Sequence, residues 1–432
     1  MYQTKFDIIK LEKYLLYGLI LSMATYAIPF LRIGGDESKF PIGTIFLPLL
    51  FFLLAIRSSY TKNFVSNKIL TVSMSLLYFS VILSSFLPGN FFVKERIAKL
   101  IIFLSFPILF TNVIRDNKSL KTCLWSLVTV GIILGVYGFY GYFTGNIGED
   151  TQKAWWWTYA RYYGIHYTPS TRNSDIYYIV IPLIITLVFL SFANLKSTVI
   201  KAFLTGLSLM FFIGLLLSFS RGGWVSTIIT IFIFLLIFWK KRNIYLRKNL
   251  RMWLIIILVP LFFIISNKVL NYFGMANYFI GKAITIFRPA EASYYLQEKD
   301  SFDERIELFK ITLDIVISNP LGVGPDNLRY IYPSYFIGAQ HPESNYLHVL
   351  AENGIIGFLG YSFFVFYPLI FFYRKVVSTG NNDWVRIATF LISLYLVVSY
   401  IFNVEFFSFY NWLIHSIVWC GVTVQNRDKN VL

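Results

Sequence analysis

The chain has 432 residues, 56% of them hydrophobic and only 14% charged, with a net charge of +16. That composition excludes an ordinary soluble globular protein, which carries about a quarter of its residues charged. The positive charge does not point to nucleic acid, because the basic residues stand in short stretches between apolar runs, where they orient a membrane protein and meet anionic lipid.

Apolar runs long enough to cross a bilayer recur along the whole chain. In chain order the expected spans are 14–31, 42–56, 69–87, 100–114, 124–143 and 176–193. The second half adds 199–219, 224–239, 253–265, 347–372, 385–402 and 406–424. Charged residues precede the first run, but no small-residue cleavage pattern follows it, so it reads as a retained helix. The aromatic load of 44 Phe, 30 Tyr and 10 Trp suits interface belts. Cys123 and Cys420 lack metal-site spacing and suggest no disulfide. The expected fold is an all-α polytopic membrane protein of about twelve transmembrane helices, forming a single integral membrane domain over 1–432.

Lysine and arginine set the orientation. With a cytoplasmic start, the inner loops hold Arg57, Lys62 and Lys68, then Arg115, Lys118 and Lys121, then Lys196 and Lys201. The next holds the Lys240, Lys241, Arg242 cluster and the last Arg374, Lys375 and Arg386. These are short loops, where the positive-inside bias operates. Both termini are therefore expected inside. Two longer segments then fall outside: 144–175, with the Trp155, Trp156, Trp157 run, and 266–346, between spans nine and ten. The second is much longer than a usual connection and is not low-complexity, which marks a functional loop. Within it, 303–318 has apolar positions at helical spacing and predicts an amphipathic helix. Asn319-Pro320 ends that helix, and L-G-V-G-P-D-N reads as a tight turn.

Three constellations bear on chemistry. In S-F-S-R-G-G-W at 218–224, Arg221 falls at the outer surface between two spans. A lone arginine there commonly snorkels to headgroups. The two glycines that follow permit close backbone approach by a ligand, and a guanidinium suits a lipid-linked phosphate. Arg161, Arg172, Arg288, Arg305 and Arg329 share that side, which suggests an anionic substrate. The third feature is the polar head of the tenth span, with His341, Glu343, Ser344, Asn345 and His348 placed at the membrane surface. His341 reads either as a solvated loop histidine or as a general base, since imidazole titrates near neutral pH. His348, further into the helix, is expected to tolerate substitution. No Asp-x-Asp pair, H-E-x-x-H or P-loop occurs, so no metal site or cofactor is expected.

Three segments together resemble the O-antigen ligase and polymerase superfamily of membrane glycosyltransferases. They are S-F-S-R-G-G-W-V-S, R-I-E-L-F-K-I-T-L-D-I-V-I-S-N-P-L-G-V-G-P-D-N, and H-P-E-S-N-Y-L-H-V-L-A-E-N-G-I-I-G, in the family's order and spacing. The resemblance implies metal-independent transfer of a glycan from an undecaprenyl-pyrophosphate carrier to an acceptor hydroxyl, on the outer face of a bacterial inner membrane. The acceptor is lipid A core for a ligase and a lipid-linked glycan for a polymerase. Arg221 matches the family's essential arginine, with Arg161, Arg172, Arg305 and Arg288 as further pyrophosphate ligands. The family's histidine is matched imperfectly. Aligned on Gly354, its place is taken by Glu343; with two residues inserted, His341 serves, and His341 is preferred. Pyrophosphate leaves readily once arginines neutralise its charge, and a base on the opposite face of the anomeric carbon predicts inversion. The alternative is a lipid-linked glycan transporter or flippase; against it stand the absence of paired halves and of broken helices at the midplane.

Cysteines introduced at Ser293 and Ser378 test the orientation with a membrane-impermeant reagent. Spheroplasts should label the first and not the second, and the reverse pattern would overturn it.

Overall fold

The computed structural model describes residues 2–27, 32–33, 40–61, 67–87, 94–144, 176–193, 195–217, 220–240, 301–332, 342, 344–378, 383–403, 406 and 408–427. Among these the chain is helical, apart from a two-residue antiparallel pairing of β1 (Arg32–Ile33) with β2 (Phe40–Pro41). The helices are α1 (Tyr2–Leu21), α2 (Phe46–Thr61), α3 (Lys68–Ser85), α4 (Lys94–Val113), α5 (Asn117–Thr144), α6 (Tyr177–Phe192) and α7 (Thr198–Leu217). They continue with α8 (Arg221–Lys240), α9 (Ser301–Ser318), α10 (Leu328–Ile331), α11 (Asn345–Ser378), α12 (Trp384–Ser399) and α13 (Phe409–Arg427).

Four of them, α3, α5, α7 and α11, are long and apolar enough to cross a membrane, and five shorter apolar helices accompany them. That set fits a polytopic membrane protein. Every expected span except the ninth overlaps a helix; 253–265 lies outside the described residues, as does most of the long segment at 266–346. The amphipathic helix expected at 303–318 is α9, and the turn expected after it is present.

The chain forms two compact units. The first takes residues 1–127, 307–375 and 396–432. Here α4 packs along α13, with the Phe409 ring edge-on to Phe103 and Phe106 at centroid distances of 5.9 and 5.0 Å. At the other end of α4 the last-turn carbonyls have no partner within the helix. Asn112 O is taken by Arg57 Nη2 at 2.7 Å and Arg115 Nε at 2.8 Å. Arg57 also pairs with Glu12 of α1, whose side chain is fully buried. Asp116 N-caps α5, accepting from the Ser119 N–H at 2.7 Å, and receives Lys13 at 2.6 Å. Burial pushes the Asp116 carboxyl up, but the bonds from Lys13 and Ser119 outweigh it and hold the group below its ordinary value.

The second unit takes residues 128–306 and 376–395. Its α5 residue Gly131 lies where a Cβ would come within 2.8 Å of Tyr178 O, so α5 and α6 cross at backbone distance. The α6–α7 contact carries a buried hydroxyl pair, Ser208 Oγ donating to Thr186 Oγ1 at 3.0 Å. Each hydroxyl also bonds a carbonyl one turn earlier in its own helix, so neither enters the membrane with its donor unmet.

Because Glu12 is fully buried, removing only its partner leaves a charge without compensation. Arg57→Met should destabilise the protein by about 3–5 kcal/mol. The double change with Glu12→Leu should recover much of that loss, as read by thermal unfolding in detergent.

Candidate functional site

Helix α11 is broken at Gly354, where φ is 64° and ψ is −171°. This region of backbone space is open essentially to glycine alone. The tenth span is therefore not one continuous helix from its polar head, as the sequence suggested, but a short helix over 345–353 followed by a long one over 355–378. A break strands carbonyls at the end of one piece and N–H groups at the start of the next. The turn after α9 supplies the missing partners. Val323 N–H donates to Ala351 O and Gly324 N–H to Glu352 O, both at 2.9 Å, while Ile355 N–H donates to Pro320 O at 3.0 Å. The approach is so close that a Cβ on Gly322, itself at φ 92°, would lie 2.6 Å from Gly354 N. A Cβ on Gly354 would lie 2.6 Å from Pro320 O. The L-G-V-G turn and the A-E-N-G break are thus two halves of one joint.

Helix α9 roofs this joint from its apolar face. Leu308 and Ile315 pack with Val323, Leu328, Tyr332 and Ala351. The Tyr332 hydroxyl is bonded to Thr312 Oγ1 inside that cluster. Burial pushes the Tyr332 phenol up, the Thr312 bond opposes it, and the Glu352 charge adds to the rise. Asp326, at φ 63°, closes the turn and receives Arg329 Nε at 2.9 Å.

The short helix carries the polar groups. His348 Nε2 lies 3.0 Å from Glu352 Oε2, one turn on, and the two side chains are 5% and 1% exposed. Its start is tied to the turn after α12: Asn345 N–H donates to Tyr400 O at 2.9 Å, and Ser344 Oγ to the same carbonyl at 3.2 Å. Asn345 Nδ2 reaches the Tyr361 hydroxyl, and Tyr346 Oη donates to Val397 O at 2.9 Å. The Tyr400 hydroxyl in turn meets Asn411 and His415 of α13. Phe406 lies against both His348 and Tyr361. Both ends of the short helix are therefore fixed, and its ionisable pair is held between them.

The S-F-S-R-G-G-W segment is also explained from its residues. Ser220 N-caps α8, its Oγ accepting from the Gly223 N–H at 3.2 Å. The Trp224 indole N–H donates back to Leu215 O, near the end of α7, at 2.8 Å. A Cβ on Gly223 would meet the Ile176 side chain at 3.0 Å or less. Close approach at Gly223 is therefore to a neighbouring residue of the protein. Arg221 is the first residue of α8. A cation in a first turn opposes the helix dipole, so stability alone does not account for its position.

Of the other expected site residues, Arg305 stands half-buried on α9. His341, Glu343, Arg161, Arg172 and Arg288 lie outside the described residues. His348, expected to tolerate substitution, is buried, with Nε2 3.0 Å from Glu352 Oε2. Glu352 and Tyr400 were missed. The H-V-L-A-E spacing, i to i+4 on a helix, was a signal for the pair; nothing local in the sequence brings Tyr400 to Asn345.

Residues 205–362 match the model of the O-antigen ligase family. The matched stretch is similar to O-antigen ligases. It runs from within α7 through the capped start of α8, α9 and the turn, to the broken first part of α11. No curated protein matches the chain. Two motifs of the matched stretch, the N-P-L-G-V-G turn and the N-Y-L-H-V-L-A-E-N-G break, meet at the glycine joint.

Gly354→Ala should cost about 1–3 kcal/mol from the backbone alone, with further loss from the Pro320 clash. Gly322→Ala should behave alike. The double variant should fall short of the sum when apparent melting temperatures are compared, because both changes open one joint.

Proposed function

We propose that this protein transfers a glycan from undecaprenyl pyrophosphate to an acceptor hydroxyl at the outer surface of a bacterial inner membrane, with inversion and without a metal. The match of residues 205–362 to the O-antigen ligase family carries the proposal. The donor's polyprenyl tail stays in the bilayer and enters the site laterally. Arg221 takes the pyrophosphate, assisted by Arg161, Arg172, Arg305 and Arg288, and neutralises the charge that develops as the carrier leaves. Two features support this role: Arg221 is the first residue of α8, and a helix start with a cation on it is an electropositive point suited to an anion. The polar head at 341–348 provides the base. The acceptor is lipid A core or a lipid-linked glycan.

The break in α11 bears on the transporter alternative. Transporters use broken helices in matched pairs, with unwound backbone left to coordinate ions and substrate. In α11 the groups released by the break at Ala351, Glu352 and Ile355 are taken by the turn at 320–324. That arrangement builds a rigid scaffold rather than an ion site, and it favours the transferase.

Proteoliposomes loaded with isotopically labelled lipid-linked donor test the proposal. The transferase consumes donor and labels acceptor, whereas a flippase returns it intact on the other leaflet. Arg221→Lys keeps the charge and loses the planar fork, so transfer should fall by roughly 10²-fold or more with normal membrane levels. Near-normal transfer in that variant would reduce Arg221 to a headgroup anchor.

A further inference from the structure

We infer that α9 lies in the surface of the bilayer, with lipid as the partner of its Phe309–Leu313–Ile317 face. A loop helix that only roofed the glycine joint would need one apolar face, and α9 has two. Leu308, Thr312 and Ile315 are buried towards the joint. Phe309, Leu313 and Ile317 form a second row at i, i+4 and i+8, so they share another face of the helix. Phe309 is 49% exposed and Ile317 77%, with Leu313 half-buried between them. The exposed Glu307, Lys310 and Asp314 make a third face. At roughly 100° per residue the three sets point in three directions: one into protein, one charged, and one apolar and open.

The position of α9 identifies what covers the open face. Helix α11 is long and apolar enough to cross a membrane. Its part beyond the break carries Ile355, Leu359, Phe363, Phe366 and Ile370, all exposed. They recur every third or fourth residue and so line one face, and no charged residue occurs from 355 to 373. Such a row on a spanning helix is its lipid face. The glycine joint stands at the head of that row. Ile355 N–H donates to Pro320 O at 3.0 Å, and a Cβ on Gly354 would lie 2.7 Å from the Cα of Leu321. Exposed Leu321, four residues after Ile317, thus stands beside the first residue of the α11 row. The apolar surface of the span runs on through the joint into α9.

A helix with an apolar face continuous with lipid and a charged face beside it settles with its apolar side about 5–10 Å into the boundary between headgroups and acyl chains. Glu307, Lys310 and Asp314 then stay with headgroups and water. The bilayer thereby holds down the same helix that delivers the 320–324 turn to Gly354, and the joint is fixed to the membrane surface as well as to α11.

Spin labels on the full chain in proteoliposomes test this, in a background carrying Cys123→Ala and Cys420→Ala. Labels at Phe309→Cys and Ile317→Cys should collide with oxygen, which concentrates in the bilayer, and be shielded from a water-soluble nickel chelate. Both should lie shallower than a label at Phe363→Cys in the span. A label at Asp314→Cys should show the reverse preference. Nickel access at Phe309→Cys and Ile317→Cys equal to that at Asp314→Cys would place the face in water and overturn the inference. Exclusion of both reagents overturns it too, by showing protein over the face, from a second copy or from another segment of this chain. If Phe309→Cys does not reach the membrane, Ile317→Cys and Leu321→Cys decide by the same two collision rates.

Discussion

A helix that breaks inside a membrane protein must have its stranded backbone groups met by protein, because lipid offers them nothing. In this chain that requirement is satisfied by three hydrogen bonds between the 320–324 turn and the two sides of Gly354. Much of the surrounding structure follows from them. The turn must come to backbone distance, so Gly322 and Gly354 can carry no side chain. The turn is delivered there by α9, so α9 needs an apolar underside to pack on Ala351 and its neighbours. The short helix it isolates can then point polar groups at one place without being part of a continuous span.

The polar content of the bundle follows the same rule at larger scale. Fully buried Asn345, Tyr361, Tyr400, Asn411 and His415 are joined by hydrogen bonds that cross from the short helix to α13. Each member removes a desolvation cost from the next, and a network of this kind fixes one arrangement more sharply than apolar packing does. The end of α4 uses a different device. There Arg57 is drawn in by a buried carboxylate and satisfies a helix C-terminus. Charge handled at one end and backbone closed at the other leave the apolar middle free for aromatic packing such as that of Phe106 on Phe409.

The fold class was legible because hydrophobic runs and their charged punctuation are dictated by the bilayer, one segment at a time. The amphipathic α9 was legible for the same reason, its period being local, and Asn319-Pro320 marked its end. What could not be read was anything set by contact between segments far apart in sequence. The close packing of Gly223 against Ile176 is one such contact. Gly354 looked like one glycine in a spanning run and is a break, because its conformation is imposed by a turn some thirty residues earlier. The nearness of Glu352 to His348, by contrast, was carried by their i, i+4 spacing on one helix. The arginines and the His341–Glu343 motif were read by type and resemblance.

The cap that joins α7 to α8 has a mechanical meaning as well. Ser220 closes the start of α8, and the Trp224 indole is bonded to Leu215 near the end of α7, so the two helix ends cannot slide past one another. The hairpin therefore acts as a ruler: the height of Arg221 is set against α7 and not against the lipid. Where the bilayer is thicker or thinner than the hairpin prefers, the pair can respond only by tilting as a body or by deforming the membrane around it. The level at which this arginine begins α8 is thereby insulated from the composition of the membrane in which the protein works.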